Sequence, residues 1–218
     1  MIGETINAPY AEKFTVSNVF SSDMVVQRGE HIRVWGFADA SENGHKVSGE
    51  FMGMFAEALI ENGAWTLTFG ARLNACAEQG NSMRIYTDKT AFVFENVLVG
   101  DVFMVIGQSN VAYSMAAHRA AVPEAERGGV GYDVPSTPIR LHYNSLMQET
   151  GVTRGTEEVC AELRNRETWK RADAAAVQDF SALGYLFAAE YARATGVPVG
   201  VIEIDGNGQP IGAFLPNS

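Results

Sequence analysis

From Lys13 to about Glu95, polar and apolar residues alternate in short bursts separated by turn signals, with no sustained helical period. That pattern predicts β-strands throughout. His31-Ile32-Arg33-Val34-Trp35-Gly36-Phe37 sets Ile32, Val34 and Gly36 on one face and Arg33, Trp35 and Phe37 on the other. Asn62-Gly63 is a hairpin dipeptide, and the segment after it alternates Trp65, Leu67 and Phe69 with Thr66 and Thr68, as a return strand would. Ser82–Thr87, a turn at Asp88-Lys89 and Ala91–Phe94 complete the strands of a small sandwich,. Its aromatic residues read as core, and neither His31 nor His45 has a partner that spacing identifies,.

The pattern changes at Val102. Val102-Phe103-Met104-Val105-Ile106 is a continuous apolar run that stops at Gly107 and delivers Gln108-Ser109-Asn110. Such a run suits a strand covered on both faces. Residues from Asn110 to Ala121 avoid Gly and Pro and are rich in Ala, which predicts a helix. Ser109 then lies where strand becomes helix, at the strand end where ligands sit in open α/β sheets. Two readings stand: a nucleophile beside backbone N–H groups and a helix dipole that stabilise an oxyanion, or a helix N-cap after a turn glycine. Position 111 is Val111, so this is not the Gly-x-Ser-x-Gly elbow of α/β-hydrolases.

Pro123 to Pro138 is rich in Gly, Pro and acidic residues and reads as a loop,. Pro138–Tyr143 alternates as a second strand and carries His142 near its end. A serine nucleophile wants a base, but a lone histidine at an alternating position is ordinarily structural. Asn144 to Trp169 is mixed and charged, with Glu157-Glu158 and Arg164-Asn165-Arg166 as solvated faces,. Asp179 is the expected N-cap of a helix over 180–194, with Phe180, Leu183, Phe187, Tyr191 and Ala194 on its apolar face and Gly196 closing it,. Val199–Ile204 is a third strand running into Asp205-Gly206-Asn207-Gly208. Strand, helix, strand, helix, strand predicts a parallel, doubly wound sheet. The Gly-Asn-Gly turn falls on the edge that holds Ser109, where its amides either complete an oxyanion hole or simply make a tight turn.

Composition narrows the function. A chain of 218 residues with 46% hydrophobic and 19% charged residues reads as globular,. With 16 Lys+Arg against 26 Asp+Glu, net −10, it would repel nucleic acid and anionic membrane at long range,. Cys76 and Cys160 do not form a disulfide framework, and no Cys or His cluster has metal-site spacing, so neither metal nor cofactor is expected. The N-terminus lacks a basic start and an apolar h-region; the expected location is the cytoplasm, unless a leader was removed.

Several blocks together resemble the sialate O-acetylesterase family of carbohydrate esterases, within the SGNH hydrolase superfamily. Asp23-Met24-Val25-Val26-Gln27-Arg28 followed by Ile32-Arg33-Val34-Trp35-Gly36 is similar to the family's opening sandwich. Gly100-Asp101-Val102-Phe103 leading into Gly107-Gln108-Ser109-Asn110 is similar to its nucleophile block. Phe180-Ser181-Ala182 and Gly196-Val197-Pro198-Val199-Gly200-Val201-Ile202 match the helix and strand that follow.

The resemblance implies an α/β fold: a β-sandwich over residues 1–95, then part of a flavodoxin-like three-layer α/β/α domain with a parallel sheet over 96–218. It implies that Ser109 is the nucleophile, that the Ser109 amide and Gly208 hold the oxyanion, and that Gln108, Asn110 and Asn207 support the site. The substrate would be an O-acetylated sugar, sialic acid first, with acetylxylan or another plant glycan as the alternative.

The chain departs from the family at Asn207, which replaces the first glycine of a Gly-Gly-Thr-Pro-Ile turn, and at Val111-Ala112-Tyr113, where the family has Met-Glu-Met. The family's later Gln-Gly-Glu block and its catalytic histidine would lie beyond Ser218, and none of His31, His45, His118 and His142 matches that histidine. The expectation is therefore an N-terminal portion of a longer enzyme, poorly active without its base. Its cut sheet should favour self-association or pairing with the missing piece. A catalytically inactive carbohydrate-binding or assembly fragment is the reading from another class.

Overall fold

A computed structural model describes residues 13–78, 80–126, 133–145 and 168–206. Two antiparallel sheets open the chain. The first has the order β1-β3-β6, built from Phe14–Val16, His31–Ala38 and Ala64–Arg72. The second has the order β5-β4-β7-β8, from Met54–Leu59, Lys46–Phe51, Met83–Tyr86 and Ala91–Phe94. Alternation decides which side chains turn inward: Ile32, Val34, Trp65, Leu67, Phe69, Met83, Ile85, Phe92 and Phe94 join one core. Asn62 and Gly63 both take positive φ, 52° and 74°, as the predicted tight turn requires, and an antiparallel Glu61–Ala64 bridge closes it,.

The third sheet is mixed, in the order β11-β10-β12-β9-β2. Its parallel centre is β10 (Ile139–Ser145), β12 (Val199–Asp205) and β9 (Leu98–Gly107). The short β2 (Val25–Gln27) runs parallel to the start of β9. β11 (Trp169–Arg171), which the charged character of its surroundings did not predict, is an antiparallel edge strand on β10. Trp169 fastens that edge to the first core: its indole N–H donates to the Val19 carbonyl at 2.7 Å and its amide to Ser21 Oγ at 3.0 Å.

Helix α3 (Ala182–Thr195) covers one face of this sheet. It begins two residues later than expected: Ser181, not Asp179, is the N-cap, its hydroxyl accepting from the Gly184 amide at 3.3 Å,. Gly196 ends it at φ 68°, as expected,. The buried face also differs from the expected one. Ala182, Gly184, Tyr185, Ala188, Ala189 and Ala192 meet the sheet, whereas Leu183 and Phe187 are 58% and 46% exposed. Small residues let the helix backbone approach the strands closely; Phe187 and Tyr191 instead lean edge-on against Phe103,.

The opposite face corrects a second expectation. The apolar run of β9 was expected to be covered on both sides, and its Phe103 and Val105 do pack beneath α3. Met104 and Ile106, pointing the other way, are 56% and 43% exposed among the described residues.

At the base of β9, Asp101 joins three elements. Its carboxylate accepts from Arg28 Nε and Nη2 at 2.9 and 2.8 Å, from Tyr191 Oη of α3 at 2.8 Å, and from Gln27 Nε2 at 3.3 Å. The Arg28 guanidinium, then the Tyr191 hydroxyl, hold its pKa below the ordinary carboxylate value of 3.8 against the opposing cost of burial. A depressed acid pKa stabilises the fold above the unfolded value and loses that contribution as pH falls through the folded one. Asp101→Asn should therefore cost about 1–3 kcal/mol in urea unfolding at pH 7, with the gap to wild type closing below pH 3.8. A gap that persists undiminished in acid would show that charge is not what Asp101 contributes.

Candidate active site

The apolar run must end at glycine for a steric reason. A Cβ on Gly107 would lie 2.7 Å from Cγ2 of Val111, which is buried as the chain folds back over the strand end. Gly107 pairs with Asp205 of β12, and the Gly206 amide donates to the Gly107 carbonyl at 2.9 Å. The chain then turns at Gln108, whose carbonyl accepts from the Val111 and Ala112 amides at 2.9 and 3.0 Å. Ser109 is the first residue of helix α1 (Ser109–Ala112) and, like Gln108 and Asn110, is exposed.

The helix predicted over 110–121 is in fact two. Tyr113 is extended, at φ −69° and ψ 105°, and Ser114 caps a separate α2 (Met115–Ala121) by accepting from the Ala117 amide at 3.3 Å. Ser109 therefore has the amides of one helical turn beside it, and the expected contribution of a long helix dipole is reduced accordingly.

The break is enforced by the turn before α3. Ala182 N donates to the Tyr113 carbonyl at 2.8 Å, Met115 N to that of Phe180 at 2.9 Å, and Ala116 N to that of Gln178 at 2.9 Å. Ser114 and Ser181 form an antiparallel bridge. Ser181 is in turn held from below: its amide donates to Glu203 Oε2 of β12 at 2.8 Å. Glu203 is 1% exposed, and burial pushes its carboxyl up to about 8, outweighing the Ser181 hydrogen bond that favours the charged form. The neighbouring Asp205, fully buried on the same strand, raises it further.

Sequence reasoning did not single out Glu203 or Asp205. The signal was available, because alternation along Val199–Asp205 places residues 199, 201, 203 and 205 on one face.

The four histidines are dispersed. His31 Nδ1 lies 3.2 Å from the Phe69 carbonyl, and His45 Nδ1 lies 2.9 Å from Glu42 Oε2. His118, in the last turn of α2, meets the Tyr113 ring edge-on. His142 is buried against Trp169, their ring centroids 5.3 Å apart, and burial lowers its pKa to about 4. Its burial and ring contact are what the ordinary reading of its strand position expects.

Asn207 and Gly208, assigned to the oxyanion hole and its support, and Cys160 lie outside the described residues. Among the described residues, no three His, Cys, Asp or Glu side chains are grouped to hold a metal. A cleft of about 590 Å³ opens beside β10 and β11, lined by Tyr143, Lys170, Arg171, Asp173 and Phe180 among others. Ser109 is not part of its wall. Strand-end geometry, not cleft size, is what singles out the serine.

No protein-family model matches the sequence, and no curated protein matches it. Among solved structures, the chain is similar to a carbohydrate acetylesterase from Xanthomonas citri, with a TM-score of 0.69 and 24% sequence identity. That match covers 93% of this chain and 42% of the other. The chain thus shares its fold with part of that acetylesterase and spans less than half of its length.

Proposed function

We propose that this chain carries the nucleophile of a serine esterase that removes O-acetyl groups from sugars, with O-acetylated sialic acid the first substrate to test and acetylated plant glycans the second. The observation that supports it is the placement of Ser109, exposed just past the carboxyl end of a parallel β-strand, in a fold similar to that of a carbohydrate acetylesterase.

Ser109 Oγ attacks the acetyl carbonyl, the bond to the sugar oxygen breaks, and that oxygen leaves with a proton. Water then attacks the acetyl-serine and releases acetate. The Ser109 amide and that of Gly208 would hold the oxyanion. None of His31, His45, His118 and His142 matches the catalytic histidine of the esterase family that the sequence resembles, so this reading takes its base from another residue. Without it the rate should fall by about 10²–10⁴-fold.

The lack of a match for the family's histidine favours a second reading, a module that binds acetylated carbohydrate without hydrolysing it.

Hydrolysis of p-nitrophenyl acetate and of O-acetylated sialic acid, by the chain and by any longer product of its gene, separates the two. Ser109→Ala is expected to reduce turnover by at least about 10³-fold in an active form. An active form that is fully active as Ser109→Ala would refute the nucleophile assignment, and acetylated-sugar binding with no turnover in any form would favour the second reading.

A further inference from the structure

Glu203 has no role in the reaction just described, yet it lies beneath the segment that presents Ser109. We propose that Glu203 is a positioning residue for that segment: its buried carboxyl, bonded to the Ser181 amide, anchors the turn to which Tyr113, Met115 and Ala116 are hydrogen-bonded. Its bearing on catalysis rests on Ser109 being the nucleophile.

The anchor is short. One side-chain contact, Glu203 Oε2 to Ser181 N at 2.8 Å, joins β12 to the turn. Three backbone hydrogen bonds of 2.8 to 2.9 Å, two of which make the Ser114–Ser181 bridge, then join the turn to residues 113–116. Three residues separate Ser109 from Tyr113, and α1 spans that interval. A shift of the turn is therefore passed to the serine through one rigid helical turn.

The groups that face Glu203 make this anchor sensitive to ionisation. On its own strand is the buried Asp205. On β10 its register partner is Tyr143, and on β9 it is Val105. From α3 comes Tyr185, fully buried, while the charged residues of that helix, Glu190 and Arg193, are on its exposed positions. α1 is Ser-Asn-Val-Ala and brings no charge. Among the described residues, the groups acting on the carboxyl are the Ser181 amide and Asp205, and neither is a cation. Ionisation strengthens the hydrogen bond from Ser181 but places a buried negative charge beside Asp205, and the desolvation cost is the larger effect. Local opening that admits water is the relief, and it should release the turn.

Amide hydrogen exchange of the wild-type chain and of Glu203→Gln, resolved by residue between pH 6.5 and 9, tests this without reference to activity. In the wild type, protection at Met115, Ala116 and Ala182 should fall by about tenfold more than at β7 core amides (Met83–Tyr86). In Glu203→Gln, which keeps an acceptor but cannot ionise, the extra loss should vanish. A loss shared equally by β7, or the same extra loss in both proteins, would overturn the proposal. Should Glu203→Gln fail to fold, a wild-type profile with no excess loss at the three amides overturns it by itself. The parent reading is decided separately by Ser109→Ala turnover: exchange as expected with an active Ser109→Ala removes the nucleophile and keeps the anchor, and the reverse pair of outcomes removes the anchor alone.

Discussion

Gly100→Ala should destabilise the protein by about 3 kcal/mol or more, the upper end of what overpacking ordinarily costs. Gly100 lies where β9 changes neighbours: residues 98–100 pair with β2 and residues 101–107 with β12. A Cβ there would run into the carbonyl oxygen of Pro198, with the carbonyl carbon at 2.7 Å and Pro198 Cβ at 2.9 Å. None of these atoms is the free end of a flexible side chain. The Pro198 carbonyl accepts from the Asp101 amide at 2.9 Å, and the Gly100 carbonyl accepts from the Arg28 amide at 2.8 Å. The proline ring further restricts its own backbone.

Relief of the clash must therefore move the start of β12 against β9, and that register, Val199 on Asp101 through Asp205 on Gly107, is what brings the two strand ends together beside Ser109. Urea unfolding of Gly100→Ala and wild type at one pH measures the effect. A loss below about 1 kcal/mol would mean that the two strands yield far more easily than a close-packed interior allows.

How far this arrangement could be read beforehand depended on whether local signals were left to decide. Along β3 the alternation of Ile32, Val34 and Gly36 with Arg33 and Trp35 matched the observed burial, because one side of that sheet is core and period two is then unambiguous,. Asn62-Gly63 and Gly196 were equally legible, since their positive φ values restrict which residues fit,.

The readings failed where tertiary contacts overrode propensity. Residues 110–121 look like one helix, but the Tyr113 carbonyl is taken by Ala182 and the Ser114 hydroxyl caps a new start,. On α3, large apolar residues at helical spacing suggested the buried face, whereas close approach to the sheet selected the alanines. β11 spans three residues, too few to show a period,. For the site itself, Ser109 was legible as the end of an apolar run. Glu203 was missed, although alternation sets it on the face of Val199 and Val201, because acids at 203 and 205 read as exposed until the face is known to be covered.

That covered acid sets the pH dependence of stability expected for the whole fold. In the unfolded chain Glu203 titrates near 4.5, and in the fold near 8. Between those values the unfolded chain has released a proton that the native protein still holds, so stability falls as pH rises. At about 1.4 kcal/mol per pH unit the full loss is on the order of 3–5 kcal/mol.

His142 acts in the opposite sense. Burial lowers it from 6.5 to about 4, so between those values the unfolded chain binds the extra proton and stability rises with pH. Where the two windows overlap, from 4.5 to 6.5, the slopes oppose and largely cancel. Of these two groups Glu203 alone still favours the unfolded chain increasingly above 6.5, and its contribution should lower stability by about 2 kcal/mol on going to pH 8,. Glu203→Gln removes that descent and leaves the rise due to His142, so the variant should be nearly level from pH 6.5 to 8 while the wild type declines. Urea midpoints at pH 5.5, 6.5 and 8 for the two proteins measure it. Parallel curves would show that Glu203 ionises at the same pH folded and unfolded, and that its burial is relieved by water in the native state.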